Sequence, residues 1–115
     1  MKAKRIQGEI LVPKPEDRLF CVKVGKVQRE NIYEMTRKYW KARIEKASKA
    51  THVLAINEGK VIAVFNPIEW KMTQDEGHEG RIEFVGNEIL SSEYVGKDVQ
   101  AYYGFSANPI KYINF

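Results

Sequence analysis

The chain has 115 residues, of which 43% are hydrophobic and 30% are charged, and it contains one cysteine. This length suits one domain with its own hydrophobic core. No apolar run approaches the roughly 20 residues that a membrane-spanning helix needs, and a single cysteine excludes an internal disulfide. We therefore expect one cytoplasmic domain over residues 1–115, without a membrane partner, in which residues 1–17 form a partly ordered arm.

The net charge of +4 is unevenly distributed along the chain. Residues 1–22 carry five cations and three anions, residues 23–49 carry nine and three, and residues 50–115 carry five and nine. The middle segment therefore has a net charge of +6, against −4 for the last one. A concentrated positive field attracts polyanions such as nucleic acid, although a solvated helix face gives the same pattern.

The predicted elements begin with residues 6–12, whose pattern suits a strand at a sheet edge. Prolines at positions 13 and 15 then force an extended or turned connection. Residues 19–24 are β-branched and aromatic and predict a buried strand, in which Cys21 is a small core residue.

Residues 29–48 change to helical spacing without a Gly or Pro, and they predict one long helix. Asn31, with Glu34 three residues later, is a candidate start for it. A break near residues 40–42 would instead give a long helix followed by a short one.

Two apolar runs at residues 51–57 and 60–65 flank Glu58-Gly59 and predict a β-hairpin with a tight turn of positive φ. The dipeptide Asn66-Pro67 is expected to end the second strand. Shorter elements follow: an acidic loop over 72–80, a strand over 81–85, a turn at 86–87, a short helix over 89–93, a helical turn over 98–104, and a last strand over 110–115. The pattern predicts an α+β fold, with a small, curved, mostly antiparallel sheet or partly open barrel packed on one long helix.

The sequence offers no site for a metal, a cofactor or a catalytic nucleophile. His52, His78 and Cys21 are far apart and lack the paired spacing of a zinc site. Glycine-rich phosphate loops and the turn that presents a catalytic serine are also missing. We therefore predict no catalytic residue, no metal and no cofactor.

Several cations between positions 29 and 49 can contact phosphates if they share a face. At about 100° per residue on one helix, Arg37, Lys38 and Lys41 cluster, with Lys49 nearby. Tryptophan and tyrosine side chains could provide stacking surfaces for unpaired bases, although Tyr39 and Trp40 at helical spacing are more typical of a core.

Residues 32–40 read Ile-Tyr-Glu-Met-Thr-Arg-Lys-Tyr-Trp, and residues 108–114 read Asn-Pro-Ile-Lys-Tyr-Ile-Asn. With Trp70 between them, this order resembles an uncharacterised bacterial and phage domain family that has a Tyr-x-x-Thr-Arg-x-x-Trp helix. Some of its members accompany GIY-YIG nuclease domains, so the resemblance implies a nuclease-associated context rather than catalysis. The layout is also similar to small PUA-like barrels, which bind RNA or modified DNA bases.

Carried over to this chain, the recurring polar positions of the family are Thr36, Arg37 and Asn108, and its aromatic positions include Trp40 and Tyr112. The resemblance allows two interpretations of Arg37. It binds a ligand, or it belongs to a structural network that holds carbonyl groups of the turn at Asn108.

The sequence therefore predicts a non-catalytic module that binds RNA or DNA through Arg37, Lys38, Trp40, Lys41 and Asn108. One alternative is a protein-interaction module, such as a phage inhibitor of a host nucleic-acid-processing protein. In such an inhibitor, the acidic residues 75–79 would mimic the phosphates of a nucleic acid. A second alternative is a small nucleotide-processing enzyme, which would need a deep pocket joining four residues: Arg37, Glu69, Tyr112 and Asn108.

Overall fold

A five-stranded mixed sheet is the framework of the fold in the computed structural model, which describes residues 9–25 and 31–115. In chain order the elements are β1 (Leu19–Lys23), α1 (Ile32–Arg37), α2 (Ile44–Ala47), β2 (His52–Asn57), β3 (Lys60–Met72), β4 (Ile82–Glu88), α3 (Gln100–Tyr103) and β5 (Ile110–Ile113). The strand order is β4-β3-β2-β1-β5. The β1–β2 pair is parallel and the other three pairs are antiparallel, and the sheet does not close into a barrel. This confirms the predicted α+β class.

Both faces of the sheet are covered, because successive residues of a strand point to opposite faces. Phe20 and Val22 of β1 join a core that also includes residues from the crossover between β1 and β2, such as Trp40 and Ala47. Leu19 and Cys21 join a second core. The second core is closed by residues from both ends of the chain: Leu11, Tyr94, Val99 and Tyr103.

The predicted strand at residues 19–24 and the predicted hairpin are confirmed. The turn between β2 and β3 has φ of 52° at Glu58 and 78° at Gly59, as a two-residue hairpin turn requires. The predicted helical turn over 98–104 corresponds to α3, and the last predicted strand to β5.

The predicted long helix over residues 29–48 is wrong. Residues 29 and 30 lie outside the described residues, α1 ends at Arg37, and α2 begins only at Ile44. Between the two helices, the Trp40 N–H donates to the Ile82 carbonyl (3.0 Å) and the Ile82 N–H donates to the Trp40 carbonyl (2.9 Å). A backbone that bonds to the edge strand in this way cannot also form the bonds of a helix. The break is therefore longer, and starts earlier, than the one considered near residues 40–42.

Three predictions in the second half of the chain are also wrong. Asn66-Pro67 does not end β3, which continues past a register shift between Pro67 and Glu69. Gly86-Asn87 is not a turn but part of β4, opposite Pro67 and Asn66. A Cβ on Gly86 would lie 2.1 Å from the Asn66 carbonyl oxygen, so the close approach of the two strands explains this glycine. Residues 89–93 form turns rather than a helix.

The described part of the N-terminal segment is bonded to the rest of the fold at several points. Residues 6–8 of the predicted edge strand lie outside the described residues, but Ile10 forms a parallel bridge with Asp98, and the Leu11 N–H donates to the Asp98 carbonyl (2.8 Å). Leu11 is fully buried, so this segment contributes to the second core. No helix in the described part of the chain is long and apolar enough to cross a membrane.

Candidate functional site

The short helix α2 and the residues beside it carry buried apolar and exposed cationic side chains. Ala47 and Ala50 are buried, and Ile44 packs against the same core. Arg43, Lys46 and Lys49 are exposed. Since the apolar positions fix this one-turn helix against the sheet, the cationic side chains are held together on the surface.

Two adjoining cavities lie beside α2 and share Arg43 and Lys46 in their walls; we call them together the α2 groove. The first has a volume of about 520 Å³ and is lined by Lys41, Ala42, Arg43, Lys46, Asn108, Ile110, Lys111 and Tyr112. The second has a volume of about 340 Å³ and is lined by Arg18, Arg43, Glu45, Lys46, Lys49 and Phe115.

The α2 groove is strongly cationic. Its walls hold six cationic residues and one side-chain carboxylate, that of Glu45. None of the six forms an ion pair with a carboxylate of the described residues, whereas Lys14, Arg37, Lys38 and Lys97 all do. Unpaired like charges on one concave surface repel each other, and a bound polyanion would remove that repulsion.

A row of aromatic rings leads from the core to the groove. The ring centroids of Trp70 and Phe20 are 5.0 Å apart, those of Phe20 and Tyr112 are 5.3 Å apart, and those of Tyr112 and Phe115 are 4.7 Å apart. Lys46 Nζ lies 4.1 Å from the Tyr112 centroid, a cation–π contact that positions this amine at the groove. Burial raises the pKa of Tyr112, so its hydroxyl stays neutral.

The two ends of this row are Phe115, at the groove, and Trp70, whose indole N–H is buried. Phe115 is 39% exposed and lines the second cavity. The indole N–H of Trp70 is buried and has no hydrogen-bond partner among the described residues. Trp70 therefore contributes to the row through the packing of its ring.

Arg37 lies on α1 and is held by intramolecular contacts. Its Nε donates to the Phe84 carbonyl (3.0 Å) and its Nη2 donates to the Glu83 carboxylate (3.0 Å). A third guanidinium nitrogen lies 3.5 Å from the Glu34 carboxylate. The carbonyl that Arg37 holds belongs to β4 and not to the turn at Asn108, so the network differs from the one that the sequence suggested.

Two further predicted site residues are also directed inwards or along α1. Lys38 forms ion pairs with Glu34 (3.4 Å) and Asp75 (3.9 Å). Trp40 is only 7% exposed, and its indole N–H donates to the Thr36 carbonyl (2.7 Å). Neither residue lines the α2 groove.

Lys41 and Asn108, which are 67 positions apart in the sequence, line the same cavity. The Asn108 side-chain oxygen accepts a hydrogen bond from the Ile110 N–H (2.9 Å), which fixes the turn before β5. The Asn108 side-chain nitrogen donates to no group of the described residues, and Asn108 is exposed at the first cavity. The structure thus brings two of the five predicted site residues together.

Sequence reasoning missed three cationic or aromatic residues of the groove: Arg18, Lys111 and Phe115. The β1–β5 pairing sets Leu19 opposite Ile113, which brings the residues before β1 close to those after β5. A sequence signal existed in the cationic and aromatic residues that lie in or beside these two strands. Using it required the pairing of two strands from opposite ends of the chain.

The acidic loop at residues 73–81 is anchored to the segment after α1. The rings of Tyr39 and His78 stack with centroids 3.7 Å apart, and the Tyr39 hydroxyl donates to Asp75 (2.5 Å). That hydrogen bond is the main cause of the lowered pKa of Asp75. Within residues 9–25 and 31–115, no three His, Cys, Asp or Glu side chains are arranged to hold a metal ion.

Comparison of the chain with known protein families, curated proteins and solved structures finds no match. The likeness to the bacterial and phage domain family and to PUA-like barrels therefore stays a prediction.

Proposed function

We propose that the protein is a nucleic-acid-binding module and that the α2 groove is its binding surface. The observation that carries this proposal is the set of six cationic residues, unpaired within the described residues, that line two adjoining cavities. Phosphates neutralise such a surface and release the counterions condensed on the nucleic acid, which is the main source of non-specific affinity.

The proposal retains Lys41 and Asn108 from the predicted face. It replaces Arg37, Lys38 and Trp40 with residues in and beside α2, β1 and β5. Lys46 and Arg43 take the central place, because both cavities share them. Glu45 is the one anionic side chain of the groove, and its exposed position allows it to turn towards water.

A nucleotide-processing enzyme receives no comparable support. That alternative needed Arg37 and Glu69 in one pocket with Tyr112 and Asn108. Tyr112 and Asn108 do line one cavity, but Arg37 and Glu69 do not line it.

The test is equilibrium binding of fluorescently labelled RNA and DNA by anisotropy at low salt. The double variant Arg43→Ala/Lys46→Ala should weaken binding at least tenfold, because it removes two cations that contact phosphates. The loss should be similar for every nucleic-acid sequence, since phosphate contacts do not distinguish bases. The double variant Lys60→Ala/Arg81→Ala removes the same two charges outside the groove and should change affinity less than twofold. Equal losses in the two variants, or no binding of any nucleic acid by the unmodified protein, would contradict the proposal.

A further inference from the structure

The α2 groove is divided into two compartments by a shared cationic wall. Arg43 and Lys46 border both cavities, so a ligand that enters both must cross these two side chains. We propose that the groove binds a single strand and holds two successive nucleotides, one in each cavity, with the phosphate that links them against Arg43 and Lys46. This inference rests on the proposed function and narrows it to unpaired strands.

The size and lining of the cavities suit a nucleotide better than a phosphate alone. Volumes of about 520 Å³ and 340 Å³ lie in the range of roughly 300–1,000 Å³ that small-molecule pockets occupy. The first cavity has an apolar part formed by Ala42, Ile110 and Tyr112, and the second has the exposed ring of Phe115. A phosphate gains nothing from contact with such an apolar surface, whereas the flat face of an unpaired base can pack against it.

Polar groups in the first cavity can fix the orientation of that base. The Asn108 oxygen is already bonded to the Ile110 N–H, which leaves the Asn108 side-chain nitrogen as a donor at the cavity wall. An amide nitrogen can donate to a base carbonyl or ring nitrogen. Lys41 lines the same cavity and is exposed, so it can follow the phosphate on the outer side.

The described elements are poorly suited to a duplex. Proteins usually read the major groove with an α-helix or a two-stranded β-ribbon that enters it. The helix at the groove, α2, has four residues, and the strand at the groove, β5, is held along one side by β1. A duplex would also lie across the cavity openings and leave their apolar walls wet.

The experiment is a titration of the isotopically labelled full chain with four ligands, monitored through amide chemical shifts. They are thymidine 5′-monophosphate, the 5′-phosphorylated thymidine dinucleotide, an eight-nucleotide single strand and a blunt DNA duplex. We expect the dinucleotide to shift amides at both cavities, near residues 41–46 and 108–112 and also at 18, 49 and 115. We expect it to bind at least tenfold more tightly than the monophosphate, and the eight-nucleotide strand to bind at least tenfold more tightly than the duplex.

The matched variants are Phe115→Ala and Phe105→Ala, two exposed phenylalanines inside and outside the groove. Phe115→Ala should weaken binding of the dinucleotide about tenfold, because it removes one base–aromatic contact. It should change the affinity for the monophosphate less than twofold. Phe105→Ala should change neither.

The outcomes separate this inference from the proposed function. Duplex binding as tight as single-strand binding, or dinucleotide shifts confined to one cavity, would overturn the two-nucleotide single-strand site and leave nucleic-acid binding standing. The absence of binding by every strand and the duplex at low salt would overturn both.

Discussion

Replacement of Arg37 by alanine should destabilise the fold strongly and leave ligand binding intact. The guanidinium is held between the Phe84 carbonyl and the Glu83 carboxylate, both at 3.0 Å. The side chains of Arg37 and Glu83 are 13% and 9% exposed. Arg37→Ala therefore leaves the Glu83 carboxylate buried with its main cationic partner removed.

The magnitude follows from what remains around Glu83. Loss of one partner of a buried ion pair costs about 3–5 kcal/mol. Thr73 still donates to Glu83 (3.1 Å) and Lys71 Nζ still lies 4.0 Å away, so we expect the lower end of that range. A loss of about 3 kcal/mol corresponds to a fall in Tm of about 12 °C for a domain of this size.

The assay is urea unfolding followed by tryptophan fluorescence, with Lys41→Ala as the control. Lys41 is an exposed cation of the groove, and its loss should change the free energy of unfolding by less than about 0.5 kcal/mol. The double variant Arg37→Ala/Glu83→Ala should cost clearly less than the sum of the two single changes, because each single change strands the other partner.

The binding measurement on folded Arg37→Ala completes the test. Since Arg37 lines neither cavity, affinity for a single strand should stay within twofold of the unmodified protein. A loss of stability below about 1 kcal/mol would refute the buried ion pair. A large loss of affinity with full stability would return Arg37 to the binding face that the sequence predicted.

Three further predictions concern the core and the pH dependence. Burial, together with the hydrogen bond to Asp17, raises the pKa of Tyr94 to about 12. The pKa of this tyrosine in the unfolded chain is about 10, so the neutral hydroxyl stabilises the fold fully below pH 10, and that stabilisation is lost as the pH rises towards 12. In urea unfolding experiments, Tyr94→Phe should reduce the fall in the free energy of unfolding over this pH range. Burial raises the pKa of Cys21 to about 12, so iodoacetamide should modify Cys21 only in urea, as mass spectrometry would show; rapid modification of the folded protein would contradict its place in the core. Gly86→Ala should lower the free energy of unfolding by about 2 kcal/mol or more, because the added methyl group collides with the Asn66 carbonyl. Gly77→Ala, where positive φ is the only obstacle, should lower it by about 1 kcal/mol. Equal losses for the two variants in urea unfolding would refute the collision.

The parts of the fold that depend on neighbouring residues were predictable from the sequence. The hairpin of β2 and β3 follows from two apolar runs around Glu58-Gly59, and its turn geometry is local. The prediction of one helix over residues 29–48 was wrong because Trp40 pairs with Ile82, which is 42 positions away. A contact at that distance overrides helical spacing and cannot be read from the segment itself.

The candidate site shows the same division. The excess of cations between positions 23 and 49 predicted a positive surface, and Lys41 lies on it. The break between α1 and α2 changed which cations share a face, so Lys46 and Arg43 replace Arg37 and Lys38 at its centre. Arg18 and Phe115 reach the groove only through the β1–β5 pairing.

The most direct test of the α2 groove is the salt dependence of single-strand affinity. If the groove neutralises the linking phosphate of the two bound nucleotides and the phosphates on either side of it, log Kobs should fall against log salt concentration with a slope of about −2.1. Arg43→Ala/Lys46→Ala should make that slope less steep by about 0.7, since the linking phosphate loses its cationic partners, while Lys60→Ala/Arg81→Ala should leave it unchanged. A slope near zero, or the same slope for both double variants, would contradict binding through this groove.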